Sequence, residues 1–586
     1  MSVLEELLER AGITAAELDK REAPKRRLAV PHSAEFQRIL NLPRRQQTVS
    51  PELVQQLTEA FRQPHGTMTL RPTQALALKE MYECEGLFGP IRVGGGKTLI
   101  TYLSPCILDA KRPLLLLPAK LRDKTKREFT HLARDWQGPN FYRIESYELL
   151  GRPQASDILD RYRPDLIVAD ECHKLKSTHA AVTKRISRFF RQYPDTKLVA
   201  LSGTITKRSL KDYAHLLRWS LRRGSPLPLD YGELELWAAV LDEVADNYFE
   251  QVEPGALYEF CSSAEMSKGK DGLREGFQRR LMQTAGVVAT QEAKVSAELT
   301  LKPYFAGVDT DIDKAFVTLR KDWELPDGHP LADGLSVWRH ARELGLGFYY
   351  HWVPEPPRYW LEARKAWASR CREILKANRR NLDSEAQVAQ AVDNGWYPGE
   401  ELSEWREVRD SYTYTTEAVW ISNQALDLAA KWLSEHKGIC WVEHVEFGKK
   451  LSRMTGLPFY GQGGLSDNGQ RIEIHRPGYP LIASLLSNQE GRNLQAWSTS
   501  LVVSAPTTGT AWEQLLGRTH REGQTSKTVD YWVYLGCLPH LEAAERAIND
   551  ANYVKLTTGA DQKLLYSDNQ LPGVGDFSAP GAQWLK

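Results

Sequence analysis

The sequence predicts an α/β protein with two lobes, each built on a parallel sheet, and with helical regions before the first lobe and between the two. Three observations predict it. Between residues 67 and 220 the apolar runs PLLLLPA, DLIVADE and KLVALSG alternate with amphipathic stretches, and each run ends in small or polar residues. The same rhythm returns in GICWVEHV, YPLIASLL, TSLVVSAP and TVDYWVYL. Strands covered by helices on both faces are buried along their whole length, so they read as continuous apolar runs rather than alternating ones. Finally, 586 residues exceed one ordinary core, since domains run to roughly 100–200 residues.

Taken in order, residues 1–66 read as a helical N-terminal region, with capping-box spacing at Ser2/Glu5 and Thr14/Glu17 and a third helix starting near Ser50. Residues 67–300 form the first lobe with its helical closure. Residues 301–425 are rich in tryptophan and charge and poor in strand signals, which predicts a mainly helical connector or insertion. Residues 426–555 form the second lobe, and 556–586 a turn-rich, extended tail.

Composition narrows the class. A hydrophobic share of 42% with 26% charged residues is that of a globular chain, not a disordered or membrane-spanning one. The start MSVLEELLERAG lacks the basic and apolar regions of an export signal. The seven cysteines stand singly, without zinc or redox spacing. Both features lead us to expect an intracellular, cytoplasmic protein without a membrane partner. Net charge is only +1, so a nucleic-acid surface would need an uneven distribution of charge.

Three segments carry chemistry. Gly94-Gly95-Gly96-Lys97-Thr98 precedes an apolar helical run. Glycines let backbone N–H groups face phosphate oxygens, the lysine neutralises terminal phosphate charge, and the threonine hydroxyl can ligate magnesium. A glycine expected at Ile91 is missing. Downstream, an apolar strand delivers Asp170 and Glu171, one suited to hold hydrated magnesium and the other to deprotonate an attacking water. Arg518 and Arg521, three residues apart within QLLGRTHREGQ, share one face if the segment is helical, where they can stabilise charge on a leaving phosphate. Alone, each segment has an ordinary alternative: a Gly-rich turn, a solvated acidic pair, a solvated basic face.

Together these segments resemble superfamily-two helicases and translocases, the Swi/Snf-like branch in particular, over about residues 68–224 and 430–560. The resemblance implies two RecA-like lobes, ATP and Mg2+ in the cleft between them, and a nucleic-acid-stimulated ATPase moving on duplex or branched DNA. It assigns Arg71 and Gln74, in LRPTQ, to the adenine-reading element and Gly94, Gly95, Gly96, Lys97 and Thr98 to the phosphate loop. Thr98 and Asp170 would hold the metal, Glu171 would act as base, and Arg518 and Arg521 as arginine fingers. Coupling of hydrolysis to movement would fall to His173, to Ser202, Gly203 and Thr204, to Gly491 and Asn493 in a shortened fifth motif, and to Gln514. Lys120, Ser146 and Tyr147 would touch the nucleic-acid backbone.

The chain departs from the family at Ile205, where proline is usual, and residues 301–425 have no counterpart. Within that region Arg358 to Arg380 interleaves bases with Tyr359, Trp360 and Trp367, either a strand-binding surface or a core face with solvated bases. An RNA helicase and an ATP-gated clamp without translocation are the rival readings, and a monomer of bacterial or phage origin is the expectation for the protein as a whole.

Overall fold

A computed structural model describes residues 28–573 apart from 46–48, 93, 156, 204, 207, 243–251, 291–294, 308, 378–381, 383–384 and 489–490. The expected helices at Ser2 and Thr14, Thr204, Arg379, Arg380 and the end of the tail lie outside the described residues.

The first lobe is a five-stranded, wholly parallel sheet. Its strands are β1 (Leu87–Gly89), β2 (Pro113–Leu117), β3 (Arg143–Ser146), β4 (Leu166–Asp170) and β5 (Lys197–Leu201), in the order β1-β5-β4-β2-β3. β2 is buried at every position and β4 at all but its last, because helices cover both faces. Upstream, Ser50 caps the helix Pro51–Phe61 by accepting from Leu53 N at 3.2 Å, as its sequence position predicts. Phe36 and Ile39 of the helix Ala34–Leu40 are fully buried in the first lobe's core, so this N-terminal part is a packing element.

The second sheet has seven strands, also all parallel, and it draws on more of the chain than the sequence suggests. It begins with β6 (Glu298–Phe305), which straddles the expected boundary at 300 and pairs with β13 over eight positions. A separate two-stranded antiparallel pair, β7 (Phe348–Val353) and β8 (Thr415–Trp420), lies apart from it. β9 (Ile439–Val442), β10 (Phe459–Tyr460), β11 (Leu481–Ser484), β12 (Thr499–Val502), β13 (Thr528–Leu535) and β14 (Asp568–Asn569) complete the order β10-β11-β9-β12-β13-β6-β14.

Two expectations are corrected. Residues 556–573 are not an extended tail: the helix Lys563–Tyr566 buries Lys563 and Leu564, and β14 extends the second sheet by pairing with β6. Residues 306–421 are mainly helical but carry the β7–β8 pair, and they dock on the second lobe rather than merely joining the two. Arg342, 6% exposed, donates to Glu443 at 2.9 Å and to the Ala505 carbonyl at 2.8 Å, while Tyr534 donates to the Gly345 carbonyl at 3.2 Å.

The described part of the basic run, residues 358–377, is the helix Arg358–Ala377, and its two tryptophans face inward while Tyr359 is 52% exposed. Trp360 and Trp367 are buried, while Arg358, Arg364, Lys365 and Arg370 pair with Glu362, Glu385, Glu324 and Glu373. Paired bases and two buried tryptophans make this helix mainly a core element. Among the described residues no helix is long and apolar enough to cross a membrane.

Candidate functional site

The phosphate-loop segment follows β1, and the acidic pair ends β4 two places away in the sheet, with β5 between them. Ligands of open parallel sheets sit outside the carboxyl ends of the strands, where these loops meet. Gly94 and Gly96 have φ of +86° and +81°, a region that side-chain-bearing residues rarely enter. Gly96 caps the helix Lys97–Ile107, whose free backbone N–H groups carry partial positive charge. Ile91, where the phosphate-loop template has glycine, is fully buried, and its carbonyl accepts from Lys97 Nζ at 3.2 Å.

Lys97 Nζ also lies 4.0 Å from Glu171 Oε1. Glu171 takes φ +54°, a costly conformation for a side-chain-bearing residue. It turns its carboxylate toward Ser202 Oγ at 3.3 Å and His173 Nδ1 at 3.3 Å, and these two lie 3.0 Å from each other. Burial raises the Glu171 pKa, but the Lys97 charge and the His173 contact outweigh it and hold this carboxyl well below the usual range. Asp170 shows the reverse: burial and the Glu171 charge push it up to about 7, against the opposing pull of Lys97. Two adjacent carboxyls are thus driven apart, one lowered and the other raised.

The second lobe closes the other side. The helix Gly509–Thr519 buries Arg518, which donates from Nε to the Gln514 carbonyl at 2.7 Å and from Nη1 to the Arg492 carbonyl at 2.9 Å. Arg521 lies beyond the helix end, so the two arginines do not share a helical face. His520 leaves the helical path (φ −87°, ψ 82°) and its Nε2 lies 2.8 Å from the Ala297 carbonyl, which turns the chain outward. Convergence survives by another route: Arg521 Nη1 also reaches the Arg492 carbonyl, at 3.4 Å, and bonds Asn493 Oδ1.

Between the lobes lies a cavity of about 450 Å³. Arg71, Gly94, Gly96, Lys97, Thr98, Asp170 and Glu171 line it from the first lobe, and Gly491, Asn493, Gln514, Arg518 and Arg521 from the second. Arg71 reaches across it, donating to the Gly94 carbonyl at 2.9 Å and pairing with Glu522. Gly491 (φ +74°) admits Leu121 so closely that a Cβ there would stand 2.4 Å from Leu121 Cδ2.

Scanned against protein-family models and against curated proteins, the chain matches none.

Several expected residues serve otherwise than the sequence suggests. Gln74 is buried, and its carboxamide is occupied by backbone: Oε1 accepts from Arg71 N at 2.9 Å, and Nε2 donates to the Gly96 carbonyl at 3.2 Å. It braces the phosphate loop. Gly95 also lies in that loop, its N–H donating to the Arg92 carbonyl at 3.0 Å. Ser146 and Tyr147 are buried rather than turned to a nucleic acid, because both have structural bonds to make. Ser146 Oγ caps the next helix at Leu149 N (3.1 Å), and the Tyr147 hydroxyl supports the acidic strand by donating to the Asp170 carbonyl at 2.7 Å. Lys120 is exposed. Gly203 is buried beside Ser202.

Sequence reasoning missed Lys124, Thr125 and Glu128 on the helix Arg122–Asp135, which line the cavity, together with Gln495. It also missed the support behind the arginines: Lys563 N donates to Glu513 Oε2 at 2.6 Å, and Lys563 Nζ lies 3.4 Å from His520 Nδ1, all three residues buried. No local pattern announces either group.

The metal expectation can be tested on the donors. Among the described residues no cluster of three or more His, Cys, Asp or Glu could hold an ion by itself. Magnesium at nucleotide sites, however, takes one or two protein oxygens plus phosphate and water. Asp170, an oxygen donor at the end of its strand, and Thr98 in the same cavity fit that demand.

Proposed function

We propose that the chain is a nucleic-acid-stimulated Mg-ATPase of superfamily-two type, with two RecA-like lobes, that moves on or remodels duplex or branched DNA. One observation carries the reading. A single cavity of about 450 Å³ is lined by Lys97, Thr98, Asp170 and Glu171 from one lobe and by Arg518 and Arg521 from the other. A cavity of that size suits a nucleotide.

In this reading the glycine loop and the start of the helix Lys97–Ile107 receive the phosphates, and Lys97 Nζ exchanges its loop carbonyls for phosphate oxygens. Thr98 and Asp170 would hold a magnesium ion, which would supply charge neutralisation of the phosphates. Glu171, kept ionised by Lys97 and His173, orients the attacking water and takes its proton. Arg518 and Arg521 stabilise charge on the leaving phosphate, an effect of about 10³ to 10⁵ in rate for such arginines. Since those arginines belong to the second lobe, hydrolysis depends on lobe closure, and closure and opening would move the chain along its track. The contact of Glu171 with Ser202 and His173 supports coupling of the two.

ATP turnover measured with single-stranded, duplex and branched DNA and with RNA tests the proposal. Stimulation by DNA, abolished in Lys97→Ala, is expected; turnover that ignores nucleic acid and survives Lys97→Ala would overturn it. Triplex displacement then reads translocation directly.

A further inference from the structure

A second cavity, also about 450 Å³, opens on the first lobe. Its walls are the loop immediately after the acidic motif, the helix Ala214–Leu221 and the start of the helix Tyr231–Leu241. Its cationic side chains are Lys176, Lys211 and Arg218, with His179 and Thr178 at the rim. Arg218, Thr178 and His179 are exposed and make no side-chain ion pair or hydrogen bond among the described residues. That sets them apart from the bases of the helix Arg358–Ala377, which are largely paired.

The two acids of this cavity are partly committed to the protein. Asp230 Oδ1 caps its helix at Glu233 N (3.0 Å), and Asp212 Oδ2 accepts from Thr206 at 3.1 Å. Deeper in, His215 Nε2 lies 2.9 Å from the Leu175 carbonyl. Burial lowers the pKa of this imidazole. The cavity therefore offers the cationic Arg218 at its mouth, with the polar side chains of Thr178 and His179 beside it. Tyr231, 64% exposed, stands at the rim.

We infer that this cavity binds the sugar-phosphate backbone of a nucleic-acid strand, with phosphate at Arg218. The inference rests on the proposed function and names a contact point for its track. The site is joined to the hydrolytic centre at both ends: Lys176 lies five residues beyond Glu171, and Ser209 and Lys211 lie on the segment that leaves Ser202.

The test uses the full chain, a fluorescent 20-nucleotide DNA and the matching RNA, with inorganic phosphate as competitor, for the unchanged protein, Arg218→Ala and Arg218→Ala/His179→Ala. Both substitutions are at exposed positions outside any internal bond, so folding should survive; the melting temperature checks it. Expected are a several-fold weaker Kd for the strand, a salt slope shallower by about 0.7–0.9 for each phosphate no longer neutralised, and unchanged ATP turnover without nucleic acid. Unchanged affinity and salt slope in both variants, or displacement of the strand by millimolar phosphate alone, would overturn the cavity assignment while leaving the ATPase reading intact. A protein that binds neither strand yet hydrolyses ATP would overturn the inference together with the nucleic-acid part of the function.

Discussion

The two lobes meet at two seams of different kinds. At the front, around the nucleotide-sized cavity, the clearest direct tie is the ion pair Arg71–Glu522, whose side chains are 38% and 72% exposed. At the rear, the helix Leu538–Thr558 of the second lobe packs on the first. There Tyr553 donates to Asp242 at 2.9 Å, Arg208 pairs with Asp550, and the Arg274 guanidinium stands 5.1 Å from the Tyr553 ring centre. Asp242, Tyr553 and Asp550 are each no more than 2% exposed.

An exposed ion pair contributes about 0–1 kcal/mol, whereas a buried acceptor deprived of its donor costs about 1–3 kcal/mol. The direct tie at the front is therefore the weaker of the two and the buried contact at the rear the stronger. The rear also reaches the chemistry, because Asp242 accepts from Ser209 and from Leu210 N at 2.8 Å, at the end of the segment that starts from Ser202 beside Glu171.

If the seams differ in this way, changes at the front alter turnover and changes at the rear alter stability and alignment. The largest effect is expected for Glu171→Gln, a loss of about 10³ in ATP turnover with an unchanged melting temperature. Acid comes next and acts within the second lobe. Burial lowers His520 to about 4 and His540 to about 3. Depressed histidines contribute stability that is full above the unfolded value near 6.5 and is lost as pH falls toward the folded values. Each should cost about 2 kcal/mol between pH 7 and 5, read by urea unfolding at the two pH values.

Tyr553→Phe should cost about 1–3 kcal/mol and reduce kcat more than it raises KM for ATP. A stable variant with altered KM alone would place Tyr553 outside the alignment path. The smallest effect belongs to Glu522→Ala: less than about 1 kcal/mol of stability, with nucleotide binding no weaker than before.

How much of this was legible beforehand differs by region for a physical reason. The seven apolar runs all became strands, since burial on both faces leaves an unambiguous pattern. β1 and β14 have three and two residues, too few for any period, and β6 mixes Lys302 and Pro303 into its run. Lys97, Asp170 and Glu171 could be read because their chemistry is local, a loop or a strand end. Arg518 and Arg521 required the family resemblance, and even then the helix ended at Thr519, before it could carry both arginines. The rear seam joins residues 311 positions apart, and nothing near Asp242 or Tyr553 in sequence points to the other. For the run at 358–380 the sequence left two readings open, and only the pairing acids, Glu324 and Glu385 among them, favour the core face.

The central claim is that both lobes build one site for ATP hydrolysis, and Arg521→Ala tests it most directly. Binding of a fluorescent ATP analogue and single-turnover hydrolysis would be followed on the same variant with stimulating DNA present. The account predicts binding within about threefold of the unchanged protein and hydrolysis slower by about 10³. Hydrolysis at the unchanged rate would contradict it.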